Sequence, residues 1–191
     1  LSRWPDYSIM WLLLDFQLDL APREVCEPQV VVTDEPVEKA RGALEVASDE
    51  DSLRVDTGRL QFRIDRTDFA LMEDICVNGQ GLSSGRGRLI ASDGADVYLN
   101  EAAATQEVVL EECGPLRCVI RARGTHRNTR GRDFLDWTVR IMAYAGQPWV
   151  KIYHTFARTR GPDKGKVSAL DFELPVEKIG EELEVVIDHR H

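Results

Sequence analysis

The residues of this chain with the most chemistry to offer are cations at alternate positions of strand-like runs. Arg117, Arg121 and Arg123 fall on the face of the run Leu116 to Arg123 that lies opposite Leu116, Cys118 and Ile120, with Val119 between them. Arg140 lies opposite Trp137, Val139, Ile141 and Ala143 in the next such run. Lys151 shares a face with Trp149 and Tyr153 in the run after that. Residues two apart on a strand point to the same side, so if the three runs are neighbours in register their cations form a band across one sheet. A guanidinium clamps a carboxylate through paired N–H donors, and an aromatic ring beside it can stack on the apolar face of a sugar. Arg121, Arg123, Arg140, Lys151, Trp149 and Tyr153 are therefore the candidate substrate-binding residues, and an acidic oligosaccharide or polysaccharide is the candidate partner. The same pattern has a second reading. Outward strand positions commonly carry charge, and Glu107, Glu111 and Glu112 lie near enough in sequence to pair with these arginines across strands. Alternation alone does not separate a uronide-binding surface from a salt-laced sheet face.

No catalytic residue stands out. His154 shares strand parity with Val150, Ile152 and Phe156 and is expected as a hydrogen-bonded histidine on the packed face. His126 falls in the loop-like stretch Thr125 to Arg132 and is expected to be exposed. His189 and His191 supply two ligands at most, too few for a metal site. A GxSxG elbow, a phosphate-binding glycine loop and an HExxH helix are all lacking, and the glycines between Gly79 and Gly87 read as an ordinary loop. The four cysteines, Cys26, Cys76, Cys113 and Cys118, contain no CxxC pair, and the spacing of the last two fits no common zinc pattern. Cys118 reads as a small buried hydrophobe. Their even number leaves disulfides, and with them the compartment, open. No cofactor and no metal are expected.

The elements that must position these residues are strands. Ile9 to Phe16 reads as a strand buried on both faces, with a second short strand at Gln29 to Val32. Thr33 to Ser52, rich in Asp, Glu and Ala, reads as a solvated linker with a helical turn near Val37 to Arg41. From Leu53 onward strands follow one another between turns. Leu60, Phe62 and Ile64 alternate with Gln61, Arg63 and Asp65, while Asn78-Gly79 and Asp93-Gly94 are strong turn signals. Val167 to Leu174 and Leu183 to Ile187 complete the series. Strands at this spacing without helical patterns between them predict an all-β, antiparallel sandwich.

Composition narrows the function classes. With 191 residues and 43% hydrophobic content the chain is long enough to bury a core. Its formal charge of −9 argues against a nucleic-acid partner, which needs a basic surface, but a local basic patch still suits an acidic sugar. No apolar run reaches the length of a membrane-spanning helix, so no membrane partner is expected. The lack of an initiator methionine and the strand-like run close to each end lead us to expect a piece of a longer gene product.

Several stretches carry a family resemblance. Arg3-Trp4-Pro5-Asp6-Tyr7-Ser8-Ile9-Met10-Trp11-Leu12-Leu13-Leu14-Asp15-Phe16 resembles the run that ends the N-terminal RIFT barrel of the exo-rhamnogalacturonan lyase family and its YetA-like relatives, with Tyr7 where the family motif has a turn glycine. Val55-Asp56-Thr57-Gly58-Arg59-Leu60, Glu112-Cys113-Gly114-Pro115-Leu116-Arg117 and Tyr144-Ala145-Gly146-Gln147-Pro148-Trp149-Val150-Lys151 resemble the opening strands of the family's central β-sandwich, and also sugar-enzyme sandwiches of the mutarotase-like type. The resemblance implies a truncated RIFT-barrel segment over 1–32, an acidic linker over 33–52 and part of a mutarotase-like supersandwich over 53–191. It implies a parent lyase that cleaves pectic rhamnogalacturonan by elimination in a cleft built by more than one domain, with a C-terminal α/α toroid as the missing partner. No catalytic residue of the family matches a position here, so this piece is expected to serve as scaffold or cleft wall. A carbohydrate-binding sandwich module and a structural domain of a sugar hydrolase are the rival readings.

Overall fold

The computed structural model describes residues 2–31, 44–82, 85–158 and 166–177. These residues form strands, turns and extended segments, with no helix among them. The chain opens with a small antiparallel ribbon of β1 (Ser2–Arg3) and β2 (Ile9–Trp11). Trp4 N–H donates to the Ser8 carbonyl and Tyr7 N–H to the Trp4 carbonyl, each at 2.9 Å. This is a type I turn followed by a left-handed residue, and Tyr7 fills that left-handed position at φ 67°.

The run expected to be buried on both faces is instead exposed. Only Ile9–Trp11 is strand, and Trp11 and Phe16 are 72% and 63% exposed. The ribbon has a single short partner and no second sheet packed on it, so its apolar side chains have nothing to bury against among the described residues. Gln29 to Val31 is not strand either. The segment touches the rest of the protein through Asp15, 3.5 Å from Arg117, and through Gln17 Nε2, which donates to the Ala145 carbonyl at 3.1 Å.

The smaller sheet of the sandwich is a five-stranded meander: β3 (Glu45–Ser48), β4 (Ser52–Asp56), β5 (Leu60–Asp65), β6 (Glu73–Val77) and β7 (Gln80–Gly81). β3 lies inside the stretch read as linker. The acidic run Asp49 to Asp51 is the β3–β4 turn, where the Asp49 carboxylate accepts from the N–H groups of Asp51 and Ser52. A turn needs such acceptors, which is why the composition looked like linker. The sandwich therefore starts at Leu44, already buried, rather than at Leu53. The expected helical turn near Val37 to Arg41 and the expected strand Leu183 to Ile187 lie outside the described residues. Asn78-Gly79 forms the β6–β7 turn with φ of 50° and 82°, the pairing that a type I′ hairpin requires.

The larger sheet holds β8 (Arg88–Ser92), β9 (Val97–Leu99), β10 (Glu107–Cys113), β11 (Arg117–Arg127), β12 (Asp133–Tyr144), β13 (Val150–Ala157) and β14 (Ala169–Glu173). Its order is β13-β12-β11-β9-β8-β14, with β10 also paired to β11. β11 is long enough to serve two partners on one edge: β10 along its first part, and β9 at Arg127 opposite Leu99. The sheet curls, and its edge strands meet where the rings of His154 and Phe172 lie 5.0 Å apart.

The core lies between the sheets. Leu53, Val55, Phe62 and Ile64 from the smaller sheet pack with Cys118, Ile120, Trp137, Val139 and Ile141 from the larger. Each fully buried branched side chain contributes about 2 kcal/mol. Two buried polar side chains tie elements together. Thr57 donates to the Gln147 carbonyl at 2.7 Å, and Asn100 accepts from Leu89 N–H and donates to the Phe69 carbonyl, both at 2.7 Å.

His126 departs most from its sequence reading. It is fully buried within β11, not exposed in a loop, because β11 continues through Arg127 and turns residue 126 inward on the parity of Ile120 and Ala122. The Leu135 main chain lies near the ring, yet neither nitrogen makes a hydrogen bond of normal geometry among the described residues. Burial pushes the imidazole down to about 4; the Leu135 main chain opposes this and nearby His154 adds to it. His154 is on the packed side as expected, opposite Val139, yet its Nε2 is buried without the expected hydrogen bond.

Candidate functional site

The candidate cations meet on the outer face of the larger sheet. Arg121 is directly opposite Arg140, and Arg140 is opposite Tyr153, so one row crosses three strands. Arg123 leads the next row, opposite Thr138 and then Thr155. On the other side Val119, Met142 and Lys151 form a row, and beyond it Arg117 is opposite Tyr144, whose ring lies 5.0 Å from that of Trp149. Trp149 and Tyr153 are 50% and 46% exposed, and Lys151 sits 5.1 Å from the Tyr153 ring centroid.

Every arginine of the band meets a carboxylate. β10 supplies most of these, through an irregularity in its register between Leu110 and Glu112. Before it, Glu107 is opposite Arg123 and Leu110 opposite Ile120; after it, Glu112 is opposite Val119. The extra residue, Glu111, stands on the outer face with Glu112. Two consecutive carboxylates thus share a side that strict alternation would have split, which is what a β-bulge does. Glu111 bridges the facing arginines: its carboxylate accepts from Arg140 Nε at 2.7 Å and Nη2 at 3.2 Å. It also lies 2.6 Å from Arg121 Nε, off-line for a hydrogen bond. Glu107 accepts from Arg123 and lies 3.3 Å from Arg121, while Glu112 accepts from Arg117.

The electrostatics follow these contacts. The Arg140 hydrogen bond, with Arg121 beside it, holds the Glu111 carboxyl below its usual range against the opposing effect of burial. Arg140 is raised in turn, chiefly by its bond to Glu111, and Lys151 is raised by Tyr153. Among the described residues Lys151 meets no carboxylate, and no group of three or more His, Cys, Asp or Glu residues could hold a metal ion.

A concavity of about 310 Å³ lies elsewhere, on the outer face of the smaller sheet, lined by Glu45, Arg54, Asp56, Gln61, Arg63 and Asp74 among others. It was not singled out from the sequence, although the polar positions of two alternating strands pointed to it. It has no exposed aromatic ring among its lining residues, and Arg63 is already held by Asp65 at 2.8 Å and Glu73 at 2.6 Å. The aromatic rims of the arginine face make that face the stronger sugar-binding candidate.

The two sheets and their shared core define an antiparallel β-sandwich. The chain belongs to the family described as PcRGLX-like protein central beta sandwich domain, whose family model matches residues 44–183. The rhamnogalacturonan lyase-like resemblance thus holds for the sandwich, and the match begins at the residue where the structure starts its core. No curated protein matches the sequence.

Proposed function

We propose that this chain supplies the central sandwich of a rhamnogalacturonan lyase-like enzyme, and that its arginine face forms one wall of a cleft for an acidic pectic oligosaccharide. The observation that carries the reading is the row Arg121, Arg140 and Tyr153, with Lys151 and exposed Trp149 beside it. In the free protein the Glu107, Glu111 and Glu112 carboxylates neutralise the arginines. A uronate would have to displace or share these partners, so binding would be an exchange of one carboxylate for another. In this reading residues 1–32 end a preceding RIFT barrel, and a C-terminal α/α toroid of the parent chain completes the cleft.

Eliminative cleavage of a uronide needs a base for the proton alpha to the carboxylate and donors for the charge that develops. The arginine face offers donors. Buried His126 and half-buried His154 lie on the inner side of the sheet and not on this surface, so in this reading the base comes from another domain and the chain alone yields no unsaturated uronide, which would be seen as ultraviolet absorbance. Titration of Trp149 fluorescence with rhamnogalacturonan oligosaccharides tests the wall. Affinity should fall with added salt and with Arg121→Ala. Salt-insensitive binding that survives Arg121→Ala would overturn the ionic reading and leave stacking on Trp149 and Tyr153 as the mode.

A further inference from the structure

Cys113 and Cys118 face one another across the end of the β10–β11 hairpin. The turn between them fixes the kind of pair they form. Gly114 N–H donates to the Arg117 carbonyl at 2.9 Å, so Gly114 and Arg117 are the hydrogen-bonded pair that closes the turn. The next pair out, Cys113 and Cys118, is then non-hydrogen-bonded. The other edge of β11 agrees independently. Ala145 N–H donates to the Leu116 carbonyl at 2.9 Å, in the same register that sets Cys118 opposite Ala143. This turns the main-chain groups of Cys118 toward β12 and away from Cys113. Non-hydrogen-bonded partners have Cα atoms about 4.5 Å apart with side chains close together on one face. That separation is at the short end of the range a disulfide spans.

We infer that Cys113 and Cys118, both free in this structure, are a dithiol site that closes to a cross-strand disulfide on reaction with a small organic disulfide such as oxidised glutathione. The order of events follows from exposure. Cys113 is exposed and Cys118 is fully buried. The Cys113 thiolate attacks one sulfur of the oxidant, forming a mixed disulfide and releasing one glutathione thiolate. Cys118 then loses its proton and attacks the Cys113 sulfur, which releases the second glutathione thiolate. Two protein thiols are oxidised and one organic disulfide is reduced to two thiols. Burial pushes the Cys118 thiol up to about 11, so the second step is the slow one. A metal site fits less well, because two thiolates with no third ligand grouped beside them among the described residues leave a tetrahedral ion half open.

Trypsin makes the test direct, because Arg117 separates the two cysteines. The folded chain is equilibrated with reduced and oxidised glutathione, its remaining thiols are blocked with N-ethylmaleimide, and it is digested without reductant. The expected product is the peptide from Leu89 to Arg117 joined to the peptide from Cys118 to Arg121, two hydrogens lighter than their sum and separated by dithiothreitol. The joined fraction should be higher in the folded chain than in urea, since the strand register presents the pair. The inference is overturned by any of three results: both cysteines recovered with maleimide, Cys113 recovered only as its glutathione adduct or joined to another chain, or a joined fraction no higher than in urea.

Discussion

The β11–β12 ribbon has two ends that treat polar groups in opposite ways. At the end that runs from Arg117 to Arg123, outward-facing guanidiniums crowd together, and each lies against a carboxylate from β10 or the N-terminal segment. At the end that includes Gly124 and His126, the inward-facing polar atoms are few, yet both nitrogens of His126 and the Nε1 of Trp137 are buried without a well-formed hydrogen bond among the described residues. Each guanidinium of the band keeps part of its surface in water and lies close to a carboxylate, even where the Nε atoms of Arg117 and Arg121 are buried without a hydrogen bond, so rearranging these charges changes stability less. A neutral donor or acceptor in the core has no such fallback. The less charged end should therefore be the more sensitive one, and the crowded end should be tuned for what it meets outside.

The sharpest way to break this contrast is acid. Folded His126 stays neutral until about pH 4, whereas the unfolded chain protonates it near 6.5. Between these values the unfolded state binds more protons, so stability falls as the pH falls. The contribution is complete above pH 6.5 and gone near pH 4, a loss of about 3 kcal/mol. Urea titrations across that window should show it. His126→Leu should flatten the slope, leaving the part due to His154, which burial also lowers, and toward pH 4 the part due to Glu111, which Arg140 and Arg121 hold below its ordinary value. Asp65 and Asp93, both near 2, titrate below the window. Equal stability at both ends of the window would remove the basis of the comparison.

The next largest effect is steric. A Cβ on Gly124 would stand only 2.4 Å from the Trp137 ring, which is itself buried and stacked on Phe69 at 5.3 Å. The ring has nowhere to go, so Gly124→Ala should cost about 2 kcal/mol, read as a lower urea midpoint. At the charged end, Glu111→Gln leaves Arg121 and Arg140 facing one another and should cost only about 1 kcal/mol. Added salt should narrow that gap, because it screens both the lost attraction and the remaining repulsion. A cost from Glu111→Gln greater than that of Gly124→Ala would invert the ranking of the two ends. The smallest effect belongs to the N-terminal ribbon. Tyr7→Gly relieves a positive φ at a gain below about 1 kcal/mol. Slower amide exchange in the Trp4 to Ser8 turn should report it, while the melting of the sandwich stays where it was.

Alternation of side chains made most of the sandwich legible. Trp137, Val139 and Ile141 announced an inner face and Arg121, Arg123 and Arg140 an outer one, because a strand in a two-layer protein has only these two choices. Context-dependent features were hidden. His126 carries no local mark of burial, since its depth comes from how far β11 runs before turning. The stretch around Asp49 looked like solvated linker because a turn and a linker draw on the same residues. The apolar run Ile9 to Phe16 looked buried because apolar character reports what a segment can pack against, not what is packed on it. Which arginine meets which glutamate depended on one irregular step in β10 that no periodicity displays.

That irregular step has a consequence for how such a surface can change by inheritance. Glu111 has no opposite number on β11: Leu110 is opposite Ile120 and Glu112 is opposite Val119, consecutive residues of the partner strand. Removing the single codon for Glu111 would leave an unbroken ladder with every other pair, including Cys113 opposite Cys118, in its present place. Adding or dropping that codon installs or deletes a two-headed acceptor between facing arginines without re-registering the hairpin. The sheet can thus gain or lose its internal counter-ion in one mutational event, with the core behind it untouched.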